Sequence, residues 1–231
     1  ANPDTHMKMA CGDKKAACKV AILDPELTVS MPVSVTANTG IDAITHAVES
    51  YVTNRRTPIS NLFAAEAWRL LHQGFTDIFK QADDVEARGQ MQLGAYYAGA
   101  AIENSMLGAA HSCANPLSAH FGTTHGFAVG VMLPHVIRFN AKVARQWYGE
   151  LAEIAGLCDQ KDPEASEILA DYIVSLIDSS GSPTSLKACH VDRELIPKLA
   201  SEASQQWTAQ FNPREITAPD FEELYRCALD T

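Results

Sequence analysis

No apolar run in the 231 residues approaches the roughly 20 that a membrane-spanning helix needs. Nor does a basic, apolar and small-residue pattern mark a secretory leader at the amino end. Positive charge is scarce, with 18 Lys and Arg against 28 Asp and Glu and a formal net charge of -10. Such a chain lacks the basic face that nucleic acid or an anionic membrane requires, which argues against both as partners. There is no G-x-G-x-x-G, no P-loop and no other glycine cluster able to cradle a phosphate. The six cysteines (Cys11, Cys18, Cys113, Cys158, Cys189, Cys227) form no C-x-x-C pair. That spacing speaks against a disulfide framework and for a reducing cytoplasm. Cys113, two residues past His111, reads as a small buried apolar side chain.

What is present is a core. Apolar residues make up 46% of the chain and charged residues 20%, the ordinary balance of a globular protein long enough for one large domain. Strand patterning is confined to residues 19–23, Lys-Val-Ala-Ile-Leu closed by Asp24-Pro25. That reads as one buried strand, and a lone strand needs partners from outside the chain. Beyond Pro32 the pattern is helical. Residues 36–53 place Ile41, Ile44, Val48 and Tyr51 on one face, with Asn38 or Thr39 as N-cap. Further helices follow Pro58 and Asp83-Asp84, the latter rich in Gly and Ala and suited to close packing. A short helix is expected at 112–121 and another at 126–140, kinked at Pro134. Three amphipathic segments fill the last third. The expectation is a mostly α protein: residues 31–231 form a helical domain, and residues 1–30 are a tail or remnant of an α/β unit.

Four side chains carry the candidate chemistry. Asp42 and His46 are four residues apart, so on a helix they stack on one face and can grip one ion. His111 and His125 can close the site from elsewhere. One hard oxygen with three imidazoles suits Fe(II) or Zn(II) far better than Ca(II) or Mg(II). A bland reading stands beside this one. Asp42 can simply complement the dipole of its helix, and Asp42, His46, Glu49 and Thr53 form a stripe that can face water. His120 rivals His125 as a ligand on spacing alone. His6, His72 and His190 are assigned no role, and His135 a packing one.

Several blocks in order give the chain a resemblance to the iron-dependent (group III) alcohol dehydrogenases. They are VAILDPELT, TGIDAITHAVESY, NPLSAHFGTTHG running into VMLPHVIRFNA, PTSLK at Pro183 to Lys187, and FNPREIT. The resemblance implies the helical C-terminal domain of the dehydroquinate synthase-like type. It implies Fe(II) or Zn(II) on Asp42, His46, His111 and His125, and so prefers His125 to His120. It further implies hydride exchange between a small alcohol or aldehyde and NAD or NADP, with homo-oligomers left open.

Two departures qualify it. Asn115 stands where most members carry a histidine linked to proton relay, and Asn cannot shuttle a proton at neutral pH. His120 is the candidate substitute. The family's nucleotide-binding α/β half has no counterpart in this sequence, so the isolated chain is expected to be inactive. A metal-binding or structural helical domain, or a dehydroquinate synthase-like lyase, are the alternatives.

Overall fold

The computed structural model describes residue 15 and residues 18–230. The fold is mostly α, with eight α-helices and no strand among the described residues. Most of the amino-terminal tail, including His6 and Cys11, lies outside them.

Helix α1 (Val33–Val52) starts directly after Pro32. Helix α2 (Pro58–Lys80) opens on a capping box between Thr57 and Ser60, with Pro58 in its first turn. Helix α3 (Val85–Glu103) is capped by Asp84, which accepts the Ala87 amide. Helix α4 (Ala109–Phe121) ends at Gly122, whose φ of 63° only glycine adopts freely. Helix α5 (His125–Ile154) is the longest, followed by α6 (Ala165–Ser179), α7 (Ile196–Ser204) and α8 (Ala218–Asp230).

Helix α1 lies at the centre, against α2, α3 and α5, while α5 also packs on α4 and α6 and the α7–α8 pair closes over α4. The core between them holds Ile41, Ile44, Trp68, Phe75, Leu117, Met132, Leu133, Ile137 and Phe221, all buried. Trp68 satisfies its indole by donating to the Leu151 carbonyl at 2.8 Å. The small residues of α3 do what their pattern implies. A Cβ at Gly94 would lie 2.7 Å from Leu71 Cγ, so α2 and α3 approach closely.

Three local expectations are corrected. Residues 19–23 form no strand, and Val20 and Ile22 are 77% and 87% exposed. A segment with no neighbouring strand edge has no ladder to join. Asp24 instead caps a 3-10 turn at Pro25–Thr28. Helix α1 begins at Val33, before Asn38 and Thr39, so neither is its cap. Their side chains bond back to the carbonyls of Ser34 and Val35. Helix α5 continues past Asn140 to Ile154, where Ala144, Tyr148 and Leu151 extend its buried apolar face.

Candidate metal centre

Helix α1 supplies Asp42 and His46 one turn apart, α4 supplies His111, and α5 supplies His125 as its first residue. The close approach of α1 and α5 makes this possible. A Cβ at Gly126 would fall 1.9 Å from the Asn38 carbonyl oxygen, and one at Gly130 would fall 2.4 Å from Ile41 Cγ2. The turn at Gly122 separates α4 from α5, so His120 and His125 leave on different helices.

Ligand atoms of Asp42, His111 and His125 all lie within 4.8 Å of one another. Asp42 Oδ1 is 3.4 Å from His111 Nε2 and 3.8 Å from His125 Nε2. His46 stands at the edge of this group. Its Nε2 is 3.4 Å from the same Asp42 oxygen, and its ring stacks on His111 with centroids 4.8 Å apart. Asp42 Oδ1 and His111 Nε2 are both buried without a hydrogen-bond partner. Two orphaned buried atoms facing one another, with imidazoles converging on them, fit a cation.

Electrostatics follow from the crowding. Burial pushes the Asp42 carboxyl up, but His111 first, then His46 and His125, reverse this and bring it to about 2. Burial and the nearby His111 charge push His46 down to about 4, against the pull of Asp42 and Glu49. Burial also opposes charge on His111, yet Asp42 and Glu49, one at each ring nitrogen, raise it to about 9.

Glu49 is the residue that the sequence reading misses. It is buried, and its Oε2 lies 2.6 Å from His111 Nδ1 while its Oε1 accepts the Ala110 amide at 2.7 Å. The available signal is its place on the Asp42–His46 stripe, where Glu49 meets α4 rather than water. The FNPREIT block also acquires a role. Asn212 is buried and bonded to Asn140 of α5, and the Phe211 carbonyl accepts from Thr53 at the end of α1.

The other candidates are placed elsewhere. His120 Nε2 lies 2.8 Å from Glu202 Oε2 on α7, outside the converging group. Asn115 is half-buried and donates to Gln206 Oε1 at 3.0 Å. His72 packs against Trp68 and contacts the Tyr172 hydroxyl at 3.2 Å, and Cys113 is buried as read.

The model of the Fe-containing alcohol dehydrogenase family, C-terminal, matches residues 36–229. The chain is 32% identical over 225 residues to the NAD-dependent methanol dehydrogenase of Bacillus methanolicus, covering 96% of this chain and 59% of that one. It is 33% identical over 223 residues to the lactaldehyde reductase of Escherichia coli K12, covering 96% and 58%. Among solved structures, the iron containing alcohol dehydrogenase of Thermococcus thioreducens superposes with a TM-score of 0.84 at 29% identity, covering 94% and 56%. The chain therefore spans rather over half the length of the relatives it matches.

Proposed function

The chain belongs to the Fe-containing alcohol dehydrogenase family, and on that premise we propose that it is the metal-binding catalytic half of an enzyme exchanging hydride between a small alcohol or aldehyde and NAD or NADP. Asp42, His46, His111 and His125 hold one divalent ion, Fe(II) or Zn(II). The observation that carries this reading is the pair of orphaned buried atoms, Asp42 Oδ1 and His111 Nε2, facing each other beside His125.

A bound divalent ion supplies a Lewis acid for the substrate oxygen. Asp42, held well below the usual carboxylate range, brings the only negative charge among the four ligands. Asn115 is fixed by its bond to Gln206 and cannot carry a proton. Proton exit is left to water or to His120, which Glu202 orients. Exposure of Val20, Ile22 and Leu27 supports reading residues 1–30 as a piece of a nucleotide-binding α/β unit. Small alcohols and aldehydes are the substrate class, by analogy with the named relatives.

Metal analysis tests the reading. Anaerobic purification with added Fe(II) or Zn(II) should give close to one ion per chain, collapsing in His111→Ala and retained in His120→Ala. Loss in His120→Ala with retention in His125→Ala would overturn the ligand set.

A further inference from the structure

We propose that Glu49 is a positioning residue for this centre, fixing both the orientation and the tautomer of His111 so that Nε2 presents a lone pair to the ion. The inference rests on the metal reading above. Glu49 sits two turns along α1 from Asp42, on the same face, and is only 3% exposed. A carboxylate buried to that degree is costly unless its oxygens are satisfied. Here each oxygen has its own donor: Oε1 takes the Ala110 amide at 2.7 Å, and Oε2 faces His111 Nδ1 at 2.6 Å.

The donor set dictates the proton. A carboxylate only accepts, so the Nδ1 facing it at 2.6 Å must bear the hydrogen. In the neutral ring that leaves Nε2 unprotonated, and Nε2 is the atom 3.4 Å from Asp42 Oδ1. The same contact ties α4 to α1. Helix α4 has no side-chain cap from its own Gly108, and Glu49 meets the amide two residues on. Glycine at 108 keeps the approach open, since a Cβ there would come within 3.2 Å of Glu49 Oε1. One side chain thus joins two of the helices that furnish ligands and orients the most buried of those ligands.

Glu49→Gln separates positioning from mere support. Glutamine has the same shape and can still accept the Ala110 amide through its carbonyl. Its NH2 then faces Nδ1 as a donor, which drives the ring proton onto Nε2 and blocks the ligating atom. Co(II) is the probe, titrated in mildly alkaline buffer with its visible absorption and the thermal midpoint both followed. The expected result is a Kd weakened roughly 10- to 100-fold, with an altered Co(II) spectrum and a near-native midpoint without metal. Unchanged affinity and spectrum in Glu49→Gln, with normal uptake by the wild type, overturns this inference alone. A wild-type chain that takes up no Co(II) overturns the metal reading as well. Long-range nitrogen–proton NMR of the zinc-loaded wild type gives a readout independent of any variant. The His111 proton should sit on Nδ1, and ligation through Nδ1 would overturn the proposal.

Discussion

His111 is a ring between two carboxylates, and at neutral pH that setting makes it an imidazolium until an ion arrives. With its pKa raised to about 9, it must surrender a proton to become a ligand. Asp42, near 2, and His46, near 4, are already unprotonated at pH 7 and release nothing. Ion binding should therefore expel about one proton from His111, and apparent affinity should rise roughly tenfold per pH unit up to about pH 9. Calorimetry of Zn(II) binding in buffers of different ionisation enthalpy measures this directly, and a buffer-independent heat would contradict it. Asn115 is the other residue with a solution signature, in a complete enzyme that carries this domain. Asn115→His introduces a group titrating near pH 6.5 where relatives of this type are expected to relay a proton. Alcohol oxidation should then show an added ionisation near neutral pH, and superimposable profiles with hydride transfer limiting would show that Asn115 has no part in the relay.

The α1–α5 contact is what brings the candidate ligands of two helices together. At Gly126 the neighbour is backbone, the Asn38 carbonyl, which cannot rotate away from an added methyl. At Gly130 the neighbour is the Ile41 side chain, which has some freedom. Gly126→Ala should therefore be the worse substitution, costing on the order of 1–3 kcal/mol by overpacking and weakening metal uptake because His125 is adjacent. Gly99→Ala, where a Cβ meets nothing within 4 Å, should gain up to about 1 kcal/mol of helix propensity. Urea denaturation ranks the three, and a Gly126→Ala midpoint equal to wild type would refute the close approach. These helices were legible because an apolar period of 3.6 survives in any packing. Their facing partners were not. The stripe of Asp42, His46, Glu49 and Thr53 looks the same in sequence whether it meets water or α4. The choice between His120 and His125 likewise turns on the Gly122 corner, which sends the two onto separate helices.

Over the whole molecule, buried His72 and half-buried His135 should make stability fall in acid, as His46 does at the candidate centre. Burial, with Arg69 adding to it, pushes His72 down to about 4, and burial with Arg138 does the same to His135. Unfolded, each takes a proton near pH 6.5, so between about 6.5 and 4 the unfolded state binds more protons than the folded one. Their contribution is complete above pH 6.5 and is lost as pH falls towards 4, with a slope of about 1.4 kcal/mol per pH unit for each. Thermal midpoints across that window should fall, and less steeply in His72→Leu. A second expectation at this scale concerns activity. The sequence has no glycine-rich phosphate turn, so the 231-residue chain alone should show no saturable NADH or NADPH binding in fluorescence titration and should turn over no simple alcohol.

The sequence by itself determined the helical class, most helix positions, the identity of the candidate ligands and the family blocks, because periodicity and residue chemistry are local properties. The strand expected at residues 19–23 does not form, and Val20 and Ile22 are exposed. Tertiary structure alone decided that Asp42, His111 and His125 converge, that His120 turns to Glu202, and that Glu49 is buried against His111 rather than solvated. Those outcomes depend on which helix faces meet. That is set by long-range packing of α5 against both α1 and α4, which no window of neighbouring residues contains.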